Sequence, residues 1–461
     1  MTLQHKYALF LFLLFFEGII GTSYQVLYIR QFSSTVGMSA EITGIIIGVF
    51  LGAMSLGYRA GGMVKTSPLA ALGKNFLLVV AFGGVTATPL VIEYYLGSDL
   101  ISNTYLRIAL YSVFSVGFVA YFIAQSIPLL IKFKAWGNDA SEQGGNALFI
   151  STLGSMVGSI IPSSIMAAYW GATNTLTIIG FCGWIVGTIL LLKYRHKKTK
   201  KSEWGLIMIA LLGAATPIST YLNGHLSGTP YVSTAYNDIY LKHDGNIDIM
   251  VANKAFMSLR FKNGNNAAQY VDYIQKQIAG LGTADKDILI LGAGGFQMHK
   301  DDDKNRYTYV DIDGDLLDWG EKYFGVNPDT INFVVSDARQ FLIENNKKWD
   351  IIIMDTFASS SSIPEHLVTK EFFLLARKRI KKETGVFIAN IIASGGFKDK
   401  YSQRMYNTIH YAMPFCQTQQ VVPTLSEDLN NIIYTCFVGP DEQGDYSDDL
   451  RRPNVDLLSI K

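Results

Sequence analysis

The stretch "DILILGAGGFQMHKDDDKNRYTYVDID", Asp287 to Asp313, decides the fold of the second half of the chain. It consists of an apolar run, a glycine-rich turn, a charged patch and a second apolar run that ends in two acids. Short apolar runs bounded by glycine are typical of buried parallel strands. The stretch therefore predicts two neighbouring strands of a parallel sheet, with a glycine turn at the end of the first.

Strands and helices alternate after this stretch. The apolar runs in "INFVVSDA", "WDIIIMDTF" and "GVFIANII" predict strands, while "GDLLDWGEKYF", "RQFLIENN" and the segment near Thr369–Ile380 predict helices between them. Such alternation is typical of a doubly wound parallel sheet, and it predicts an α/β Rossmann-like domain. A few antiparallel strands around the turn at Asp244 and a helix over Ala267–Leu281 are predicted to precede it.

The ends of these strands carry residues suited to a nucleoside. In doubly wound sheets, ligands bind over the carboxyl ends of the strands near the switch point. Glycines there allow a ligand to approach the backbone, and acids can accept hydrogen bonds from ribose hydroxyls or an adenine amino group. The residues at these positions are Gly292, Ala293, Gly294, Gly295, Asp311, Asp313, Asp337, Ala338 and Asp355.

The first half of the chain has a different character, because it consists of long apolar runs with charges mostly in the gaps. A bilayer core requires about 20 apolar helical residues. We predict a multi-pass α-helical membrane domain, whose main partner is the lipid bilayer. Its seven predicted spans are Tyr7–Ile29, Glu41–Leu56, Asn75–Leu96, Tyr105–Phe133, Ala147–Trp170, Thr175–Leu192 and Gly205–Leu222.

Composition sets the predicted domain limits. Charged and amide residues reach ordinary globular density after Leu222, and the net charge of +1 argues against a nucleic-acid partner. We predict a transmembrane helical domain over 1–222, a small antiparallel β segment with a helix over 223–282, and a Rossmann-like nucleoside-binding domain over 283–461.

The basic residues in the loops and the cysteines both indicate on which side of the membrane the second half of the chain lies. With an inward N-terminus, Arg30 is in the outer set, and the inner set holds Lys6, Arg59, Lys65, Lys74, Lys132, Lys134 and Lys193–Lys201. Because basic loops tend to stay in the cytoplasm, seven spans place the second half outside it. Cys416 and Cys436 fall opposite each other if their flanking strands pair, so either a disulfide or two unpaired buried thiols is expected.

The strand-end residues, with "DARQFL", "WDIIIMDTF" and "IPEHLVTKEFF", resemble the spermidine synthase (aminopropyltransferase) family. The helices in front, with "EGIIGTSYQVLYIRQFSSTVGMSAEITGIIIGVFLGAMSLG", make the chain similar to bacterial membrane-fused spermidine synthase-like proteins. The resemblance implies a multi-pass protein of the bacterial cytoplasmic membrane that acts on S-adenosylmethionine or its decarboxylated form as co-substrate. It implies no tightly bound cofactor and no metal. In the family's reaction an amine attacks the carbon beside sulfur, and methylthioadenosine leaves.

The resemblance also implies residue roles. Asp355 matches the first acid of the family's Asp-Ser-Ser-Asp segment, which is associated with amine deprotonation. Tyr270 and Asp272 match its Tyr-Gln-Glu segment, and all three are expected to be catalytic. Asp311 is expected to hold the ribose and Asp337 the adenine. Two family carboxylates are replaced here, by Gly295 and by Ala358, so the usual substrate pair does not follow.

Several residues have simpler interpretations. Asp337 is also placed to cap the following helix, and we expect His366 to make local hydrogen bonds rather than to catalyse. Asp301–Lys304 is expected to be a solvated turn. Glu17, within the first span, marks either a hydrogen bond between helices or a pathway through them.

Three functional hypotheses remain from the sequence: an aminopropyl-type transferase, a non-catalytic ligand-binding or transport protein, and a methyltransferase. The expected ligands are a nucleoside sulfonium and an amine, and a homo-oligomer is possible. An external second half conflicts with a donor that is made in the cytosol.

Overall fold

The computed structural model of the chain describes residues 3–36, 40–96, 101, 103–132, 140–194, 201–217, 229–234, 236–252, 255–281, 284–299, 302–357, 363–421 and 429–438. The chain divides into two compact units, Met1–Asp238 and Ile239–Lys461. The domain limits expected from composition, after residues 222 and 282, stay predictions.

The first unit is helical, with one short strand, β1, at Tyr231–Ser233. Two π-helical turns, Val113–Gly117 and Ile161–Met166, interrupt its helices. The α-helices are α1 Leu3–Val36, α2 Ala40–Met63, α3 Pro68–Thr86, α4 Pro89–Leu96, α5 Thr104–Ser112, α6 Phe118–Ala124, α7 Ser126–Lys132, α8 Ala140–Ile160, α9 Ala167–Tyr194 and α10 Lys201–Ala215.

Six helical segments of the described residues are long and apolar enough to cross a membrane. They are Tyr7–Phe32, Glu41–Met63, Pro68–Thr86, Tyr105–Lys132, Ser141–Met166 and Tyr169–Tyr194. They match the first six predicted spans in order. The seventh predicted span stays a prediction, because α10 has 15 residues and residues 218–222 lie outside the described part of the chain.

The predicted third span, Asn75–Leu96, was wrong in its limits. The helix begins earlier, at Pro68, where proline at the first helical position replaces an amide that would have had no helical partner. It ends at Thr86, and Pro89 starts the separate helix α4. Lys74 therefore lies inside the helix rather than before it, because a single basic residue does not end a helix.

Glycines let α1 and α8 approach to backbone contact. A Cβ at Gly154 would overlap the Phe15 carbonyl, and one at Gly18 would overlap the Ser151 carbonyl. The Ser151 hydroxyl donates a 2.6 Å hydrogen bond to Glu17 Oε1, and Glu17 is only 3% exposed. The interhelical hydrogen bond that was one of the two interpretations of Glu17 is therefore present.

Helix α10 packs along α3 and α9 within the same unit. The Trp184 indole donates to the Ile207 carbonyl over 2.9 Å, and Gly180 lies against Ala214, so α10 runs antiparallel to α9. Gly213 contacts Ala81 and Gly84 of α3. Because Gly84 is close to the end of α3, α10 extends as far along the helical unit as α3 does.

Adding a single methyl group to the α1–α8 contact tests this packing. We expect Gly154→Ala to lower the free energy of unfolding by about 1–3 kcal/mol, because overpacking forces backbone shifts, and to lower the melting temperature in detergent. Gly48→Ala is the matched control, since a Cβ there meets nothing within 4 Å. Equal melting temperatures for the two variants would contradict the close approach.

The second unit contains two sheets and five α-helices among its described residues. The helices are α11 Gln269–Gly280, α12 Leu316–Phe324, α13 Ala338–Glu344, α14 Lys370–Lys378 and α15 Lys400–Ala412. The strands are β2 Asp238–Asp244, β3 Ile247–Ala252, β4 Ala255–Phe261, β5 Asp287–Leu291, β6 Arg306–Asp311, β7 Asn332–Val335, β8 Ile351–Met354, β9 Val386–Ser394, β10 Cys416–Gln420 and β11 Leu429–Phe437.

The large sheet confirms the Rossmann-like prediction. Its strand order is β10-β11-β9-β8-β5-β6-β7, in which β9, β8, β5, β6 and β7 are parallel and the β10–β11 hairpin is antiparallel. Cys416 faces Cys436 in the hairpin register, and a disulfide joins them. The chain order reverses between β5 and β8, so this junction is the switch point.

Strands β2, β3 and β4 form an antiparallel sheet next to the glycine turn that follows β5. Between β5 and β6 the described residues hold only a 3-10 turn, Gln297–His299, in agreement with the short polar segment there. The usual crossover helix is replaced by Phe296, which packs on Tyr309, Phe333 and Gly320.

Candidate functional site

The glycine turn after β5 is built by backbone contacts that exclude side chains. Gly292 has a positive φ of 95°, and a Cβ there would overlap the Asp355 carbonyl at the end of β8. Gly294 also has a positive φ, 52°. Glycine therefore suits both positions, and the ends of β5 and β8 are brought into direct contact at the switch point.

Asp311 holds this turn through its carboxylate. Oδ2 accepts from the Ala293 N–H over 2.8 Å and Oδ1 accepts from the Asp313 N–H over 3.0 Å. Burial raises the pKa of Asp311 to about 6, while these two N–H groups work in the opposite direction. Asp311 lies at the predicted strand end, but each of its oxygens already has a donor from the protein.

Asp313 is buried, whereas a solvated acid at the end of a strand would be exposed. Its side chain is 2% exposed, and Oδ1 accepts from the Asp315 N–H over 3.3 Å at the start of α12. A role in ligand binding for Asp313 stays a prediction.

Asp355 forms the centre of a partly buried network. Its Oδ2 accepts from the Tyr270 hydroxyl over 3.0 Å and its Oδ1 from the Asn390 amide over 2.9 Å. Burial raises the pKa of Asp355, although both hydrogen bonds favour its ionised form. Burial and the Asp355 charge raise the pKa of Tyr270, so its hydroxyl keeps its proton. The structure thus joins Tyr270 and Asp355, which are far apart in the chain.

Asn390 is a member of the site that the sequence reasoning missed. It lies within β9, is 1% exposed, and its Oδ1 has no hydrogen-bond partner among the described residues. The Thr356 hydroxyl, next to Asp355, is likewise unpartnered there. An asparagine inside the apolar run "GVFIANII" was the available signal, because buried amides are rare without a partner.

Asp337 caps helix α13. Its Oδ1 accepts from the Arg339 and Gln340 N–H groups, both over 2.9 Å, while its Oδ2 lies 2.7 Å from His366 Nε2. Burial opposes ionisation, but the Gln340 and His366 hydrogen bonds outweigh it, so the pKa of Asp337 is lowered. The capping interpretation of Asp337 and the local hydrogen bond of His366 are both present. Ala338 follows as a buried residue of the helix start.

The other predicted residues lie apart from this network. Asp272 is exposed and lines a polar groove with Asn246 and Asn266. It follows Tyr270 by two positions, which is about 200° around a helix, so the two side chains point in different directions. The residue between them, where the family segment has glutamine, is the buried Val271.

Gly295, where the resembled family has a carboxylate, is packed tightly. The Gly295 N–H donates to the Ser258 hydroxyl over 2.7 Å, and a Cβ at Gly295 would lie 2.8 Å from the Ser258 side chain. Strand β4 thus occupies the space next to this position. Ala358, the other departure, lies outside the described residues. The described part of the chain contains no group of three or more metal-ligating acids, histidines or cysteines.

Removing the Asp311 carboxylate tests its hold on the turn. We expect Asp311→Ala to speed hydrogen exchange at the Ala293 and Asp313 amides by roughly tenfold or more, because each hydrogen bond to a charged group contributes about 1.5–3 kcal/mol. Mass-spectrometric hydrogen exchange measures it, with the exposed Asp318→Ala as control. Unchanged protection in Asp311→Ala would show that the turn does not need this carboxylate.

The second unit is similar in sequence to proteins that are already known. Residues 270–437 match the family model described as "Spermine/spermidine synthase domain". The polyamine aminopropyltransferase of Oceanobacillus iheyensis is 22% identical over 280 residues, which are 56% of this chain and 54% of that protein. The corresponding protein of Pyrobaculum aerophilum is 33% identical over 25% of this chain and 44% of its own length. The chain spans about half the length of these curated relatives.

Solved structures include similar chains. A probable spermidine synthase from Corynebacterium glutamicum has 17% identity and a TM-score of 0.40, over 48% of this chain and 82% of that one. The spermidine synthase from Thermotoga maritima has 17% identity and a TM-score of 0.38, over 50% and 83%. From Tyr270 to Phe437 the chain is therefore similar to the spermine/spermidine synthase domain family.

Proposed function

We propose that the chain is an aminopropyl-type transferase with decarboxylated S-adenosylmethionine as donor and an amine as acceptor. In this reaction the amine nitrogen forms a bond to the carbon beside the sulfonium, and the carbon–sulfur bond breaks. The electron pair of that bond goes to sulfur, so methylthioadenosine leaves, and the amine loses a proton. The family match over residues 270–437 and the similarity to polyamine aminopropyltransferases support this proposal.

The observation that carries the proposal is the Tyr270–Asp355–Asn390 network at the switch point. A partly buried carboxylate with a raised pKa is suited to receive a proton from an amine. Two neutral donors hold the carboxylate, and neither competes for the acceptor's proton.

The donor has a less complete set of partners. The turn at Gly292 and Gly294 offers backbone to the nucleoside, and Asp311 borders it. However, the acid at position 295 is lost, and Asp337 is engaged by His366. We therefore propose weaker recognition of the adenosine part than the full set of family acids provides, and leave the amine acceptor open.

Release of methylthioadenosine by the purified chain tests the proposal. With decarboxylated S-adenosylmethionine and a panel of diamines, we expect product from the unmodified protein. We expect Asp355→Asn to lower kcat by about 10²–10⁴-fold, the usual contribution of a general base. The control is the exposed Asp303→Asn. No product with any amine, or equal rates in both variants, would refute the assignment.

The pH profile provides a second test of Asp355. The carboxylate must be ionised to accept a proton, so kcat/KM is expected to fall as the pH drops through the pKa of Asp355. Because burial raises this pKa above 3.8, the fall is expected at higher pH than for an exposed aspartate. Asn390→Ala removes a hydrogen bond that lowers the pKa and should move this limb to still higher pH. A limb that does not move would separate Asn390 from the titrating group.

A second candidate function is ligand binding without turnover. The packing of Gly295 against Ser258 and the engagement of Asp337 by His366 favour it. Calorimetry with S-adenosylmethionine, its decarboxylated form and methylthioadenosine distinguishes the two: binding without product supports this candidate. A methyltransferase has no identified acceptor here.

We also propose that the chain is anchored in the bacterial cytoplasmic membrane by seven helices, with its second unit outside the cytoplasm. The antiparallel course of α10 along α9 supports a seventh crossing. Lys132 binds the Gly62 and Val64 carbonyls, which brings predicted cytoplasmic loops to one end. The disulfide at Cys416–Cys436 suits an oxidising compartment. An external site requires that the donor be delivered across the membrane.

A reporter fused to the C-terminus shows on which side of the membrane the second unit lies. We expect activity from a periplasmic reporter such as alkaline phosphatase and none from a cytoplasmic one, because an odd number of crossings separates the two termini. The non-reduced protein is also expected to lack reactive thiols at Cys416 and Cys436. Activity from only the cytoplasmic reporter would overturn the seven-helix arrangement and remove the conflict with a cytosolic donor.

A further inference from the structure

A polar groove of about 620 Å³ lies in the second unit, on a different side of α11 from Tyr270. The end of β4, the β2–β3 turn and the first turns of α11 form it. Its wall consists of asparagines, one glutamine and one acid around a single aromatic ring, and its residues are Asn246, Phe261, Asn263, Asn265, Asn266, Asp272 and Gln275. Neither the proposed transfer reaction nor its donor uses these residues.

The side chains that line the groove are mostly amides. Each amide presents one acceptor and a pair of donor hydrogens, while the Asp272 carboxylate adds acceptors. Lysine and arginine are absent from this wall. An array of paired donors and acceptors matches hydroxyl groups, since each hydroxyl both donates and accepts.

The backbone holds these amides in a defined arrangement. The Asn263 side chain accepts from the Asn265 N–H over 3.0 Å, and Gly264 has a φ of 89°. The Phe261 N–H donates to the Asn265 carbonyl over 2.8 Å, and the Lys262 N–H donates to the Asn246 carbonyl over 2.9 Å. The turn is thus tied to both β4 and the neighbouring hairpin, which preorganises the groove.

One amide in the groove is half satisfied. The Asn266 Oδ1 accepts from the Ala268 N–H over 3.1 Å, but its buried Nδ2 has no hydrogen-bond partner among the described residues. An unmade buried hydrogen bond costs about 1–3 kcal/mol. The Oδ1 hydrogen bond ties this amide to the residue that precedes α11.

From these observations we propose that the groove is a binding site for an uncharged saccharide. The amides and Asp272 pair with the sugar hydroxyls, and the ring of Phe261 contacts the apolar face of a pyranose. One carboxylate and several amides favour a neutral polyol over a polyamine, which calls for more negative charge. This site does not depend on transferase activity.

The groove also adjoins the segment that follows the glycine turn. Gln275, which lines it, donates from Nε2 to the Gln297 carbonyl over 2.9 Å. Gln297 in turn donates to the Gly295 carbonyl over 2.9 Å. The wall of the groove is therefore connected to the turn at the candidate active site through two side chains.

Saturation-transfer NMR on the full chain in lipid nanodiscs tests the proposal. The probes are maltotriose, cellotriose and triacetylchitotriose at millimolar concentration, with 1,4-diaminobutane as the cationic alternative. We expect transfer to at least one trisaccharide. Asp272→Asn keeps the shape but loses the charge, and it should weaken binding about tenfold.

Gln419→Ala removes an exposed amide on β10, outside the groove, and should bind as the unmodified chain does. Asn246→Ala serves as a further groove variant, and the melting temperature shows whether each variant folds. No transfer to any trisaccharide, or undiminished binding in the folded groove variants, overturns the proposal. Transfer only to the diamine, lost in Asp272→Asn, replaces it with an amine site. Methylthioadenosine release measured in the same samples reports separately on the transferase proposal.

Discussion

The close approach of the ends of β5 and β8 is the constraint on which the candidate site depends. Gly292 allows it, because any side chain there would overlap the Asp355 carbonyl. The same approach fixes where the Asp355 side chain leaves the backbone, and Tyr270 and Asn390 then hold its carboxylate. Asp311 stabilises the other side of the turn through two backbone amides. The described part of the site is therefore a junction of two strands held by a close backbone contact and by hydrogen bonds.

Much of this fold could be predicted from sequence pattern. The parallel strands are buried on both faces, so each one appears in the sequence as a continuous apolar run. Their positions along the chain and the polar residues at their ends could therefore be predicted. The flanking runs predicted that Cys416 and Cys436 face each other, whereas the sequence left open whether a disulfide joins them, as it does in the structure. The segment Met298–Arg306 between β5 and β6 is short and polar and leaves little room for a helix, and the described residues there hold only a 3-10 turn.

The side-chain partnerships were less accessible. Asp311 and Asp337 looked available for a ligand, but the structure engages them with backbone amides and, for Asp337, with His366. Sequence spacing does not show which acids already accept hydrogen bonds from the protein's own turns and helix starts. Asn390 was missed for a related reason: its importance comes from a contact with Asp355, across two neighbouring strands. The groove at Asp272 also depends on three separate segments meeting in space.

The disulfide has a consequence for the border of the large sheet. Strand β10 is its outermost member, paired only with β11 in the order of the sheet. A border strand exposes unpaired backbone groups that can recruit a foreign strand and start aggregation. The bond between Cys416 and Cys436 ties this strand to its neighbour at one end of the ladder. A cross-link that closes a loop of this size contributes about 3 kcal/mol by restricting the unfolded chain. Strand β10 is therefore harder to detach from β11.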